Sequence, residues 1–170
     1  MSTDRPYRIT VVCTGNICRS PMGEFLLRER FERAGLGDRV VVDSAGTTSW
    51  EVGSPADPRT LSVLRRNGHP DLGSAHVARQ FERAWLDEVD LVLAADAGHL
   101  RDLTRLARTP DQRAKVRLFR SFDPEAERSG DLDMVDPWYG DDSSFDQTYA
   151  EETAAADGVV DHVRAQLDAR

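Results

Sequence analysis

Cys13 closes an apolar run and opens the stretch Cys13-Thr14-Gly15-Asn16-Ile17-Cys18-Arg19-Ser20, with Pro21 next. A loop that leads into a helix N-terminus points free backbone N–H groups at one spot, and the helix dipole adds partial positive charge there. Gly15 permits the backbone angles that a tight cradle needs. Arg19 brings a planar fork suited to two phosphate oxygens. The Cys13 sulfur, at the start of the loop, then lies inside a ring of donors, and such surroundings favour a thiolate. A thiolate beneath a phosphate-shaped cradle is a nucleophile aimed at phosphorus. Ser20 can hydrogen-bond the sulfur when it leaves again. A Walker phosphate loop would need Gly-Lys-Ser/Thr, which this stretch lacks. The plainer alternative, a small buried Cys13 in a turn with Arg19 exposed, does not account for the placement between an apolar strand and a proline-started helix.

Attack on a phosphate ester by such a thiolate makes two demands on protons. The leaving alkoxide or phenolate must gain one, and the water that later breaks the phosphocysteine must lose one. A single carboxylic acid can do both in turn. Three Asp-Pro pairs compete for the role: Asp57-Pro58, Asp123-Pro124 and Asp136-Pro137. Asp57 reads as a helix cap, and Asp123 reads as the end of a strand. Asp136 stands beside Trp138 and Tyr139, two large aromatics on a polar loop that could clasp an aromatic ring.

The elements around these residues alternate between strand and helix. "YRITVV" (Tyr7–Val12), "RVVVDSAG" (Arg39–Gly46), "DLVLAAD" (Asp90–Asp96) and "KVRLF" (Lys115–Phe119) read as four strands. "SPMGEFLLRERFERAG" reads as a helix with Ser20 as N-cap, Pro21 at N1 and Gly35 as the stop. "DPRTLSVLRRNGH" repeats that grammar with Asp57, Pro58 and Gly68, and "AGHLRDLTRLAR" is a third helix. Ser144 to Asp168 reads as a long terminal helix, weakened in the middle by Gly158. The Gly/Asp/Pro-rich segment from Asp123 to Ser143 is too long for a simple connection, and such loops commonly carry function. The alternation predicts an α/β fold, a four-stranded parallel sheet with helices on both faces. Ligands in such folds sit beyond the C-terminal ends of the strands, where Cys13 to Arg19 falls.

At 170 residues the chain suits one domain, 1–170, with a substantial core. The net charge of −8 argues against nucleic acid as a partner. No apolar stretch is long enough for a membrane span, and "MSTDRPYRIT" lacks the apolar region of a signal peptide. These features predict a cytoplasmic protein with no membrane partner. Two cysteines cannot supply four zinc ligands, and no metal or other cofactor is expected.

"VCTGNICRSPMGE" resembles the signature of the low-molecular-weight protein-tyrosine phosphatases. The resemblance runs through nearly the whole chain, in "DSAGTTSWEVGSPADPR" (Asp43–Arg59), "HVARQF" (His76–Phe81), "DLVLAAD" and "DPWYGD" (Asp136–Asp141). It implies cofactor-free hydrolysis of phosphotyrosine in proteins, with Cys13 as nucleophile, Arg19 and the loop from Thr14 to Ser20 holding phosphate, and Asp136 as the acid. Phosphate and vanadate would compete for the cradle. Asn16, Ser44 and His76 match positions that brace the cradle in the family. Trp50 matches an aromatic that walls the cleft in some members, although a core indole fits the sequence equally well. Cys18 reads as a turn filler. The resemblance adds a second role, capture of oxidised Cys13 as a disulfide. His69, His99 and His162 carry no motif.

The resemblance leaves rivals to weigh. A thiol-dependent arsenate reductase shares the cradle but relays oxidation through further cysteines, which are absent here. A non-catalytic phosphotyrosine-binding module would not need Cys13, Arg19 and Asp136 together. Protein-arginine phosphatases resemble this chain more closely, but they place Thr where Ile17 stands. Ile17 offers only apolar surface, which suits a phenol face flanked by Trp138 and Tyr139 and leaves a guanidinium without a partner.

Overall fold

A computed structural model describes residues 4–69 and 75–170. Four parallel strands, β1 (Tyr7–Cys13), β2 (Val40–Gly46), β3 (Leu91–Ala94) and β4 (Val116–Leu118), form a sheet in the order β2-β1-β3-β4. β1 pairs with β2 from Tyr7↔Val40 to Cys13↔Gly46 and with β3 from Ile9↔Leu91 to Val12↔Ala94. The chain leaves β1 toward β2 on one side and returns to β3 on the other. The C-terminal end of β1 is therefore the switch point of the sheet, where such folds open a crevice.

Both faces of the sheet are covered, and β1 is buried on both from Ile9 to Cys13. Ile9 and Val11 pack with Leu27, Phe31, Phe119, Val159 and Val163, under helices α1 (Arg19–Arg33) and α6 (Asp142–Asp168). Val12 points the other way, toward Leu86, Leu103 and Val116, beneath helix α3 (Ala97–Leu106). Helix α2 (Pro58–Arg66) packs Val63 and Leu64 against Met22, Phe25 and Leu26 of α1 and Phe145 of α6. Short helix α4 (Pro110–Ala114) precedes β4, and helix α5 (Pro124–Ser129) follows it.

The structure departs from the sequence expectations in three places. Ser20 does not cap α1: the N-cap position is Cys18, without a side-chain cap hydrogen bond, and Ser20 sits inside the first turn. Its hydroxyl is turned to the Cys13 sulfur instead. The polar segment from Asp123 to Ser143 carries α5 and a 3₁₀ turn, Pro137–Tyr139. Gly158 does not weaken α6, which runs unbroken through it. A Cβ at Gly158 would stand 2.0 Å from the Phe122 carbonyl oxygen, so glycine is what lets α6 lie against that backbone.

Candidate active site

The stretch Thr14–Cys18 leaves β1 and enters α1 as a loop whose carbonyls are nearly all occupied from outside. Cys13 O accepts from Thr47 N (2.9 Å), and Thr14 O accepts from Thr48 N and Thr48 Oγ1. Asn16 O accepts from His76 Nε2 (2.8 Å), Ile17 O from Asp57 N (2.8 Å), and Cys18 O from Thr60 Oγ1 and Met22 N. In a trans peptide the N–H points opposite to the C=O. With these carbonyls drawn outward, the amides of residues 14, 15, 17, 18 and 19 turn to the inner side of the loop. That inner surface is an array of donors around the Cys13 sulfur, the shape that binds a phosphate.

Asn16 holds this curl. It is fully buried with φ +61, in the left-handed region that few residues other than glycine adopt. Its side chain is satisfied at both ends: Nδ2 donates to Ser20 Oγ (2.8 Å) and Ser44 Oγ (2.9 Å), and Oδ1 accepts from Arg79 N (3.0 Å). Ser44 Oγ in turn donates to Glu24 Oε1 (3.0 Å). A chain of hydrogen bonds thus runs from the sulfur through Ser20, Asn16 and Ser44 to Glu24. Burial lifts the Glu24 carboxyl, against the pull of Arg28 and the Ser44 hydrogen bond. Gly46, at the end of β2, allows the loop to come this close: a Cβ there would lie 2.6 Å from Thr14 O.

Cys13 Sγ lies 3.1 Å from Ser20 Oγ and accepts from Ser20 N at 3.4 Å. Cys18 is also buried, but its surroundings are different. Burial first, and then the Asp57 carboxylate, push the Cys18 thiol well above its ordinary value, and Sγ donates to Asp57 Oδ2 at 3.7 Å.

Arg19 is held by one nitrogen. NH1 donates to Asp96 Oδ2 (3.0 Å) and to Met134 O (2.8 Å), while NH2 lies 3.6 Å from Asp136 Oδ2. Asp96 also caps α3, accepting from Gly98 N and His99 N through Oδ1. Burial raises the Asp96 carboxyl, but His99, its amide and Arg19 more than offset this, and the net direction is downward. Asp96 therefore stays a carboxylate anchor for Arg19.

The three Asp-Pro pairs separate by location. Asp57 caps α2 and binds Arg59, and Asp123 caps α5 through Glu125 N. Asp136 caps the 3₁₀ turn, accepting from Trp138 N, and its other oxygen is the one near Arg19. Only Asp136 of the three lines the cleft over the cradle. That cleft, about 280 Å³, is bounded by Cys13, Thr14, Gly15, Ile17, Cys18 and Arg19 below and by Trp50, Glu51, Trp138 and Tyr139 above. The alternative of a core indole at Trp50 is overturned, since the residue is 79 % exposed. Trp138 and Tyr139 meet edge to face, with centroids 5.0 Å apart. Arg59, which the sequence reading left out, reaches from α2 to the Trp138 and Gly140 carbonyls (3.4 and 3.3 Å) and so ties this loop down.

The family model described as low molecular weight phosphotyrosine protein phosphatase matches residues 8–169. The chain belongs to this family. It is 52 % identical over 164 residues to the low molecular weight protein-tyrosine-phosphatase of Streptomyces coelicolor, covering 96 % of this chain and 98 % of that one. Among solved structures it is similar to Vibrio vulnificus Wzb in complex with benzylphosphonate, with a TM-score of 0.75, 31 % identity and 92 % and 98 % coverage. It is also similar to a Drosophila arginine phosphatase, with a TM-score of 0.80, 28 % identity and 91 % and 96 % coverage. Membership makes the chain a phosphomonoester hydrolase. Among the described residues no helix is long and apolar enough to cross a membrane.

Sequence reasoning passed over Asp96, His99, Glu24 and Arg59 in this phosphatase. Asp96 carried a signal, an acid at the C-terminal end of a central strand, but it reads in the sequence only as the last residue of that strand, and the structure makes it the cap of α3 as well. His99 carried none: its ring reaches Thr14 only because α3 starts beside the loop.

Proposed function

We propose that this chain is a protein-tyrosine phosphatase that works through a phosphocysteine, with one domain over residues 1–170. The observation that carries the reading is the meeting of Cys13, Arg19 and Asp136 in one cleft walled by aromatics. Cys13 Sγ attacks phosphorus in line as the phosphorus–phenol oxygen bond breaks. Arg19 NH2 and the inward amides hold the equatorial oxygens, whose charge is what such catalysis must stabilise. Asp136, within ion-pair distance of that guanidinium, gives its proton to the leaving phenolate. It then takes one from the water that attacks phosphocysteine, and Cys13 leaves as a thiolate beside the Ser20 hydroxyl and amide.

The substrates we propose are proteins bearing phosphotyrosine, with phosphate and vanadate as competitive ligands of the cradle. A phenol ring can pass between Trp50, Trp138 and Tyr139 and meet the apolar Ile17. Phosphoserine and phosphothreonine are too short to bring phosphorus to the sulfur. Phosphoarginine would set a guanidinium against Ile17. Cys18, in the same loop, can take up oxidised Cys13: peroxide converts the thiolate to a sulfenic acid, and the Cys18 thiol displaces water to form a disulfide. Because burial and Asp57 hold Cys18 protonated, closure should lag the loss of activity. Two free cysteines suit a reducing compartment, and we propose the cytoplasm. A panel of phosphopeptides carrying Tyr, Ser, Thr or Arg phosphates tests the substrate reading. Phosphotyrosine should be hydrolysed far ahead of the others, and equal turnover of phosphoarginine would overturn it.

A further inference from the structure

His99 belongs to no part of the mechanism above, yet it is buried and its ring is aimed at the cradle. Nε2 lies 2.8 Å from Thr14 Oγ1, and Nδ1 lies 3.3 Å from Asp96 Oδ1 without hydrogen-bond geometry. Asp96 and His99 are three residues apart, one turn at the start of α3. That turn touches both ends of the phosphate loop: Asp96 grips Arg19, and His99 grips Thr14. Among the described residues Thr14 is otherwise held only through its carbonyl, by Thr48. With the carbonyl and the hydroxyl both tied, the peptide between Thr14 and Gly15 cannot rotate, and the Gly15 N–H stays turned inward.

We infer that His99 is a positioning residue, whose hydrogen bond to the Thr14 hydroxyl clamps the first turn of the cradle and, through Asp96, locks it in register with Arg19. The inference rests on the reading of the loop as the anion site. The ring acts as a neutral hydrogen-bonding group. Burial lowers its basicity and Arg19 lowers it further, against the opposing pull of Asp96 and Asp102 on its own helix and Asp136 across the cleft. The Thr14 hydroxyl also faces it. A neutral amide can therefore replace it: the Nε2 of a glutamine can reach the same hydroxyl.

The test is a double-mutant cycle read by orthovanadate affinity, followed by tryptophan fluorescence, and by kcat/KM on a phosphotyrosine peptide. His99→Leu and Thr14→Val should each weaken both by about tenfold, the upper worth of one neutral hydrogen bond. The double variant should lose little more than either single one. His99→Gln should retain most of the affinity and keep the native acid limb of the pH profile, and it remains informative if His99→Leu fails to fold. Additive losses in the cycle, or a His99→Gln variant as weak as His99→Leu, would overturn the clamp. Native protein that does not bind vanadate at all would instead bring down the anion-site reading, and the clamp with it.

Discussion

At the floor of the cleft, Cys13, Asn16, Arg19 and Ser20 are 3 % exposed or less, and each is tied by hydrogen bonds to β2, α1, α3 or the loop at residues 76–79. At its mouth, Trp50, Trp138 and Tyr139 are 79 %, 51 % and 82 % exposed, and the Trp138 and Tyr139 rings meet edge to face. The floor is set by groups from several elements, so its geometry survives without substrate. At the mouth the backbone is tied by Arg59 and by the Asp136 cap, but the three aromatic side chains are exposed and can adapt to a ring and the chain that bears it. Chemistry here is placed on rigid backbone and recognition on free side chains. Changes at the floor should therefore act on kcat and changes at the mouth on KM.

The largest break in that division is Cys13→Ser. Turnover should vanish while the circular dichroism spectrum and vanadate binding persist, because the cradle amides and Arg19 remain. Asp136→Ala comes next, with kcat down by roughly 10²–10⁴-fold on phosphotyrosine, the usual worth of a general acid. The loss should shrink on aryl phosphates whose leaving group needs no proton, measured as a change in leaving-group dependence. Asp123→Ala should leave kcat unchanged and cost about 1 kcal/mol of stability through the lost cap on α5.

At the mouth, Trp138→Ala and Trp50→Ala should raise KM by up to about tenfold with kcat nearly constant, in line with the worth of one aromatic contact. A fall in kcat instead would erase the distinction between mouth and floor. The smallest effect lies beneath the floor. Glu152, on α6, is fully buried, neither carboxyl oxygen has a hydrogen-bond partner among the described residues, and one oxygen stands 3.5 Å from where a Cβ of Gly23 would be. Burial, with Cys13 adding to it, holds the carboxyl well above its ordinary value. The folded chain therefore keeps a proton that the unfolded chain gives up above about pH 4, so stability falls as pH rises through that range. Glu152→Met removes this dependence, and the melting temperatures of variant and native protein should draw apart, the variant higher, from pH 4 toward neutrality.

What the sequence disclosed followed from local rules. β1, the loop and α1 were legible because apolar alternation, Gly15, Arg19 and Pro21 each act within a few residues. Asp136 could be singled out among the Asp-Pro pairs by its neighbours Trp138 and Tyr139. Ser20 misled because a serine before proline has the pattern of a cap, whereas here its hydroxyl serves a sulfur seven residues back. His99, Asp96 and Glu24 were hidden because their partners are 20 to 85 residues away in sequence. Trp50 was ambiguous for a different reason: an indole at a wall and an indole in a core look alike until exposure is known.

The central claim is that phosphorus passes through the Cys13 sulfur. Rapid quenching of a turnover with a phosphotyrosine peptide labelled in its phosphorus tests this most directly. The label should appear on the fragment containing Cys13 before it is released as phosphate, and Cys13→Ser should carry none. Release of labelled phosphate with no label ever bound to that fragment would contradict the account.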